Sequence, residues 1–193
     1  MKSDIDRWNE RFAGREPADA PRPDPVLAAC PHLPEGGSAL DIASGSGHNA
    51  VWLALRGFDV TAIDGSVNGM RLALDLARRC GVTIRPIVAD LDRYPLAGRY
   101  DVVLVLNFLD RTLYRALPER LVPGGVLIAK AFNRDALADR PDMNPDYVLE
   151  PCELPRLFAG LEVLEHAESP AGGEGRSHIV CRRTKRPSGP VAS

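Results

Sequence analysis

Four polar side chains are candidates for ligand binding or catalysis, because each lies at the end of an apolar run that has the length of a strand. They are Asp41, Asp64, Asp90 and Asn107. In an open parallel sheet, ligands bind outside the carboxyl ends of the strands, near the point where the strand order reverses. A single Asp after a strand is commonly a turn or helix-cap residue, but agreement at four strand ends is hard to explain that way. We therefore expect the four side chains to line one ligand-binding crevice.

The first of these acids precedes a loop of small residues. Residues 39–50 read Ala-Leu-Asp-Ile-Ala-Ser-Gly-Ser-Gly-His-Asn-Ala, which predicts a buried strand, a tight loop and the start of a helix. Ala43, Gly45 and Gly47 allow the backbone to turn sharply and to approach a ligand closely. The helix that follows presents backbone amides to the loop. This arrangement predicts a nucleotide-cofactor site.

Two cofactors fit this loop, and a structural turn without a ligand is a third interpretation. Gly45, Gly47 and Ala50 match the dinucleotide pattern G-x-G-x-x-G/A, and Asp64 lies near the expected distance of roughly 20 residues. Asp41 argues for S-adenosylmethionine instead, because a carboxylate disfavours a pyrophosphate and attracts the sulfonium and the α-ammonium of that cofactor. We therefore expect S-adenosylmethionine and keep an NAD(P)-binding protein as an alternative.

With these motifs, about residues 5–183 resemble a class I S-adenosylmethionine-dependent methyltransferase, closest to the small bacterial methyltransferases related to the tellurite-resistance enzyme. The family's first motif is an acid followed by x-Gly-x-Gly-x-Gly, and it appears here as Asp41, Ala43, Gly45 and Gly47. Ala43 replaces the first glycine, which adds a methyl group and narrows the loop slightly. The resemblance implies an enzyme that transfers a methyl group from S-adenosylmethionine.

The resemblance also implies a role for residues near the strand ends. Asp64 resembles the acid that binds both ribose hydroxyls, and Asp90 resembles the residue that receives the adenine amino group. Asn107 and Phe108 would face the methionine end of the cofactor, and Arg11 would pair with its carboxylate. The remaining implied contacts come from Gly65, Ser66 and Leu91.

The N-terminal stretch at residues 6–12 resembles the short helix that caps the cofactor in these methyltransferases. Trp8 and Phe12 lie four residues apart on one helical face, so they are suited to packing over the pocket. An ordinary surface helix with two docking aromatic residues is the alternative.

Composition limits the classes of protein to which this chain could belong. Its 193 residues and its hydrophobic content of 45% suit one α/β domain with a substantial core. The net charge of −2 does not indicate the basic surface that is typical of nucleic-acid-binding proteins. No apolar run approaches the roughly 20 residues of a membrane span. The four cysteines lie far apart without paired spacing, so neither a metal site nor a disulfide framework is expected. We expect a cytoplasmic protein with reduced thiols, either a monomer or a homodimer.

The order of elements predicts an α/β fold. Strands that alternate with helices indicate a Rossmann-like, doubly wound sheet of seven strands, mostly parallel and closed by an antiparallel hairpin. The predicted division is an N-terminal cap helix with a proline-rich linker (1–35), a methyltransferase domain (36–184) and a disordered tail (185–193).

Several boundaries within this domain are predicted from local patterns. The third strand is expected at 82–89, and a helix is expected at 111–121. A turn at 123–125 should then lead into the fifth strand, and the closing hairpin should turn through Gly172 and Gly173.

The acceptor is not assigned by any of these motifs, because methyl transfer from a sulfonium needs alignment and desolvation more than acid–base groups. Arg176 and His178 alternate onto one face of the last strand near the rim where this family admits substrate. They are candidates for anion binding or proton removal, and the irregular region 133–151 should complete the acceptor pocket. We expect a small-molecule acceptor, and a binding module that holds the cofactor without catalysis is the alternative.

Overall fold

The computed structural model describes residues 2–168 and 175–184. Seven strands occur in these ranges, each an apolar or alternating run that ends near a turn residue. In chain order they are β1 (Gly37–Ile42), β2 (Phe58–Asp64), β3 (Arg85–Val88), β4 (Tyr100–Leu106), β5 (Leu121–Phe132), β6 (Glu162–Glu168) and β7 (Arg176–Arg182).

The strands form one sheet in the order β3-β2-β1-β4-β5-β7-β6. The first five strands pair in parallel, and β7 runs antiparallel to both β5 and β6. This architecture confirms the predicted Rossmann-like sheet with its closing antiparallel hairpin. The strand order reverses between β1 and β4, so a ligand crevice is expected at the carboxyl ends of these two strands.

Helices cover both faces of the sheet and connect the strands. In chain order they are α1 (Lys2–Phe12), α2 (Pro25–Ala28), α3 (His48–Leu55), α4 (Val67–Arg79), α5 (Arg111–Ala116), α6 (Ala136–Asp139) and α7 (Glu153–Leu157). On one face, Val51 of α3 and Leu76 of α4 are buried in the same cluster as Val60 of β2. On the other face, the rings of Tyr114 and Phe158 stack with their centroids 5.4 Å apart. The sheet is therefore buried between two apolar layers.

Two predicted elements are shorter in the structure. The third strand begins at Arg85 rather than at 82, because β3 pairs only with the last four residues of β2 within the described residues. The helix predicted at 111–121 ends at Ala116 and continues as a 3₁₀ turn. Pro118 explains this change, since proline lacks an amide hydrogen and disfavours helical geometry in the residue before it.

The turn predicted at 123–125 lies inside β5 instead of preceding it. Pairing with β4 continues on both sides of an irregularity, between the pairs Tyr100–Leu121 and Val102–Val126. The strand therefore begins at Leu121 and accommodates Pro123 and its two following glycines as a local bulge.

The N-terminal segment is fixed to the rest of the fold just before α2. Arg22 N donates to His48 Nδ1 at 3.0 Å, and Asp24 N donates to Asn49 Oδ1 at 2.8 Å. Asp24 also pairs with Lys130 Nζ of β5 at 3.1 Å, and these two side chains are only 9% and 11% exposed. The predicted linker is thus anchored to α3 and to the middle of the sheet.

Two expectations lie outside the described residues: the turn through Gly172 and Gly173, and the tail at 185–193. Throughout the described ranges, every helix is too short or too polar to cross a membrane.

Candidate functional site

The loop after β1 has the conformation that its glycines predict. Gly45 and Gly47 have φ values of +55° and +76°, in the left-handed region that glycine adopts readily. A Cβ at Gly45 would lie 3.3 Å from Phe12 Cζ, and a Cβ at Gly47 would overlap Ala73 of α4. Both glycines are therefore required by the backbone conformation and by the space between α1 and α4.

Ala43 occupies the position of the family's first glycine, and its φ is +55°. A residue with a Cβ is disfavoured in this region by roughly 1–2 kcal/mol. Two backbone hydrogen bonds nevertheless fix the loop in this conformation. Ser44 N donates to Ile63 O at 3.1 Å, and Gly47 N donates to Ser44 O at 2.9 Å. Backbone strain is therefore stored at the carboxyl end of β1.

Asp64, at the end of β2, connects two loops of the crevice. Its Oδ2 accepts from Gly45 N at 2.8 Å, and its Oδ1 accepts from Ser66 N at 2.7 Å. Burial raises the pKa of this half-buried carboxyl, although both hydrogen bonds act in the opposite direction. Each oxygen keeps a further lone pair that a hydroxyl group can use. Asp64 therefore has a structural role in addition to the ribose contact that the resemblance implies.

Asp41 lies inside β1 and is only 1% exposed. Its Oδ2 has no hydrogen-bond partner within residues 2–168 and 175–184. Burial and the neighbouring Asp64 carboxylate raise the pKa of Asp41 to about 8. A buried acceptor without a donor is unfavourable until a proton or a ligand satisfies it. The environment of Asp41 therefore favours a cationic ligand group over an anionic one.

Asp90 lies in the turn after β3, beside the end of β2. Ala89 N donates to Asp64 O at 3.0 Å, which holds this turn next to the Asp64 loop. Asp90 Oδ1 accepts from Asp92 N at 3.1 Å, and Leu91 is half-buried. The structure therefore places Asp90 and Leu91 on the β2 side of the crevice.

Asn107 lies on the opposite side of the crevice, directly after β4. Its side chain is exposed, and its φ of +62° is one that asparagine tolerates better than most residues. Asn107 N donates to Lys130 O at 2.7 Å, which fixes the end of β4 against β5. Phe108 O accepts from Tyr114 Oη at 2.6 Å, so the next residue is also held in place.

Helix α1 lies across the loops that follow β1 and β2. Asn9 Oδ1 accepts from Ser66 Oγ at 3.1 Å and from Asn68 N at 2.9 Å. A Cβ at Gly65 would lie 2.8 Å from Ile5 Cγ1, so α1 packs closely at that position. Sequence reasoning missed Asn9, since its partners lie more than fifty residues away and no local pattern marks it.

The two aromatic rings of α1, Trp8 and Phe12, stack with their centroids 5.8 Å apart, but they are buried to different degrees. Phe12 is 8% exposed and packs at Gly45, whereas Trp8 is 41% exposed. The Arg11 guanidinium carbon lies 4.8 Å from the centroid of the Trp8 ring. Only Phe12 therefore covers the loop, and the contact of Arg11 with a cofactor carboxylate stays a prediction.

Residues 133–151, the expected acceptor region, form a loop whose last residues lie beside its first residues. Leu149 N donates to Phe132 O at 2.7 Å, and Leu149 forms an isolated parallel bridge with Asn133. Tyr147 Oη donates to Asp4 Oδ2 at 3.1 Å, so this region contacts α1. The region 133–151 and the helix above the loop after β1 are therefore in direct contact.

Arg111 of α5, which sequence reasoning also missed, forms hydrogen bonds with the end of this region and with α7. Its Nη1 donates to Asp146 O at 2.7 Å, and its Nη2 donates to Val148 O at 2.9 Å. Its Nε donates to Glu153 Oε1 at 2.6 Å. One side chain thus ties three separate segments together.

Strand β7 brings Arg176 and His178 to one face, as predicted. Their cross-strand partners on β5 are Phe132 and Lys130, so all four side chains share that face. Burial, with the nearby Lys130 charge, lowers the pKa of His178, which keeps its imidazole neutral at pH 7. In the part of the chain that the structure describes, no group of three or more acidic, histidine or cysteine side chains could hold a metal ion.

The chain is similar in sequence to a methyltransferase family and to curated proteins with different names. Residues 39–125 match a family described as "Methyltransferase domain". Hemagglutinin 1 from Eikenella corrodens is 30% identical over 139 residues, which cover 67% of this chain and 45% of the relative. Glycine/sarcosine N-methyltransferase from Halorhodospira halochloris is 34% identical over 112 residues, or 52% of this chain and 41% of the relative. The chain thus spans less than half the length of these curated relatives.

The fold is also that of solved methyltransferase-like structures. TehB from Haemophilus influenzae superposes with a TM-score of 0.72 at 18% identity, over 83% of this chain and 62% of that one. The family match covers the strand, loop and acids that form the crevice, and the structural match covers the sheet that positions them. Residues 39–125 are therefore a match to a methyltransferase domain, and the chain has the fold of the class I S-adenosylmethionine-dependent methyltransferases.

Proposed function

We propose that this protein binds S-adenosylmethionine and transfers its methyl group to a small-molecule acceptor. The observation that carries the proposal is the buried Asp41 carboxyl beside the glycine loop, whose Oδ2 lacks a donor among the described residues. A cationic cofactor group would favour the ionised form of this carboxyl and satisfy its oxygen, whereas a pyrophosphate would oppose that ionisation. The match of residues 39–125 to a methyltransferase family supports the same cofactor.

The residues available to hold this cofactor surround the reversal point of the sheet. Asp64 would accept from the ribose hydroxyls, and Asp90 with Leu91 would bind the adenine edge. Asn107 and Phe108 would face the methionine end, next to β5. The loop contacts would come from Asp41, Ala43, Gly45, Gly47, Gly65 and Ser66, and Arg11 would approach the cofactor carboxylate.

The bound cofactor would supply an electrophilic methyl group on its sulfonium. The task of the chain is then to align the acceptor and to exclude water. Phe12 and α1 cover the loop after β1, and the region 133–151 contacts α1 through Tyr147 and Asp4. His178, neutral at pH 7, is the candidate to receive a proton from the acceptor, with Arg176 as the candidate for binding an acceptor anion.

A small molecule is the favoured acceptor class. The net charge of −2 offers no basic surface of the kind that nucleic-acid methylation needs. One relative is named for glycine and sarcosine, which supports a small acceptor. The alternative is a binding module that retains the cofactor without catalysis, and strained Ala43 is the feature that favours it.

Isothermal titration with S-adenosylmethionine, S-adenosylhomocysteine and NADH tests the cofactor assignment. We expect saturable binding of both sulfur nucleotides and none of NADH, because only the first pair lacks a pyrophosphate. Saturable NADH binding without a response to either sulfur nucleotide would refute the proposal. A screen of small thiol, amine and carboxylate acceptors, read as release of S-adenosylhomocysteine, then separates an enzyme from a binding module.

Replacing Asp64 with alanine should weaken S-adenosylhomocysteine binding by about 1–3 kcal/mol, the scale for losing charge-assisted hydrogen bonds. The structure adds that Gly45 N and Ser66 N also lose their acceptor, so a modest loss of stability should accompany the change. Asp59→Ala is the matched control, since Asp59 is an exposed residue at the other end of β2. A folded Asp64→Ala protein with wild-type affinity would show that the ribose assignment is wrong.

A further inference from the structure

The surroundings of Asp41 disfavour an ionised carboxyl group. Its side chain is 1% exposed, and its register partners on the two neighbouring strands are the buried Ala62 of β2 and Leu104 of β4. The amide of Ala50, in the first turn of α3, bonds to the carboxyl group, but Oδ2 has no hydrogen-bond partner in the described ranges. A carboxylate at this position is desolvated and short of donors, so the protonated acid is the favoured form without a ligand.

The charged group that acts on Asp41 is a second carboxyl group, that of Asp64 on β2. Asp64 has two amide donors, Gly45 N at 2.8 Å and Ser66 N at 2.7 Å, which stabilise its ionised form and fix it in place. Burial and this neighbour together raise the pKa of Asp41 to about 8. The two adjacent acids therefore differ in charge at pH 7, and the proton resides on Asp41, which has fewer donors.

The basic side chains on the elements around Asp41 are distant, paired or uncharged. Lys130 shares this face of the sheet, but it lies on β5, two strands or about 10 Å away, and it pairs with Asp24. On α3, burial and the charge of Arg22 lower the pKa of His48, so its imidazole is neutral at pH 7. The arginines of α1 and α4 are all exposed. A cation that stabilises the Asp41 carboxylate would therefore come from a bound ligand.

We propose that binding of S-adenosylmethionine expels the proton of Asp41, so that the protein takes up the cofactor in exchange for a proton released to solvent. This inference rests on the proposed function for the identity of the ligand, and it adds a role for Asp41 as a group that becomes charged only in the complex. The exchange is balanced, since the protonated acid and a cationic group of the cofactor give an ion pair and one free proton. A neutral or anionic ligand leaves the proton in place, so Asp41 selects for a positive charge at this position.

The test is isothermal titration of the full chain with S-adenosylmethionine at pH 7, in buffers that differ in their enthalpy of ionisation. The slope of the observed binding enthalpy against that buffer enthalpy gives the number of protons released. An adjacent cation lowers the pKa of a carboxyl group by about 1–3, so we expect release of about 0.4–0.9 proton for each cofactor bound. Asp41→Asn, which has no proton to lose, should reduce this number to about zero. Asp59→Asn, at an exposed carboxylate of β2, should leave it unchanged.

Difference infrared spectroscopy on the wild type tests the same exchange without a variant. Addition of S-adenosylmethionine should remove the carbonyl band of one protonated carboxyl group. Persistence of that band, saturable binding without proton release, or equal proton release in Asp41→Asn and wild type would each overturn this inference alone. Absence of any saturable cofactor binding would instead refute the proposed function, and this inference with it.

Discussion

Replacing Lys130 with methionine is expected to lower the free energy of unfolding by about 3–5 kcal/mol, the usual cost of removing one partner of a buried ion pair. Lys130 and Asp24 are 11% and 9% exposed and lie 3.1 Å apart. Without the ammonium, the Asp24 carboxylate stays buried, and the amide of Val26 at 3.0 Å is its remaining close donor among the described residues. Unfolding in guanidinium chloride, with linear extrapolation to water, measures the change.

The double variant Asp24→Asn/Lys130→Met is the matched control. It removes both charges, and asparagine can still cap α2, because an amide oxygen accepts the bond from Val26 N as well. We expect the double variant to recover most of the lost stability. If Lys130→Met unfolds at the wild-type denaturant concentration, or if the double variant is as unstable as the single one, the ion pair does not anchor the N-terminal segment.

The second large effect is a fall in stability with rising pH that depends on Asp41. Its pKa is about 8 in the folded protein and about 3.9 in an unfolded chain. The folded state therefore holds a proton that the unfolded state releases between these two values. The contribution of Asp41 to stability is fully present below about pH 4 and is lost at about 1.4 kcal/mol per pH unit as the pH rises through 8.

Asp41→Asn isolates this contribution, because asparagine keeps the shape and cannot ionise. Denaturant unfolding at several pH values measures the free energy of unfolding of both proteins. From pH 4 to 8, the value for the variant should rise relative to that of the wild type. Above pH 8 the difference should stay constant. Asp142→Asn, at an exposed carboxylate, should give no such divergence. Parallel curves for Asp41→Asn and wild type would mean that Asp41 is ionised in the folded protein at neutral pH.

The arrangement around β1 could be predicted from the sequence because its determinants are local. An apolar run, an acid and glycines at fixed spacing predict a strand, a turn and a helix, and the structure has β1, the loop and α3 in that order. The mostly parallel sheet of seven strands with its closing antiparallel hairpin was also predicted and is confirmed, whereas the order of the strands was not predicted. Boundaries were less predictable where a tertiary contact decides them, as at β5, whose first residues pair with β4 before the bulge at Pro123.

The long-range contacts could not be predicted in the same way. Asp24 and Lys130 are separated by 106 positions, and no local sequence pattern predicts that they pair. Arg140 stands in a region that reads as irregular, so its contact with Phe132 appears only when β5, α6 and β7 are assembled. Trp8 and Phe12 stack as their helical spacing indicates, but that spacing does not show that Trp8 is much the more exposed of the two.

The anchor at Asp24 has a consequence for α1. If α1 detaches from the loops beneath it, residues 13–21 still tie it to the fixed point at Arg22, so its excursion is limited to about 30 Å at full extension. A short tether of this kind keeps the local concentration of the helix in the millimolar range. Return of α1 over the loops is therefore an intramolecular step whose rate is independent of protein concentration.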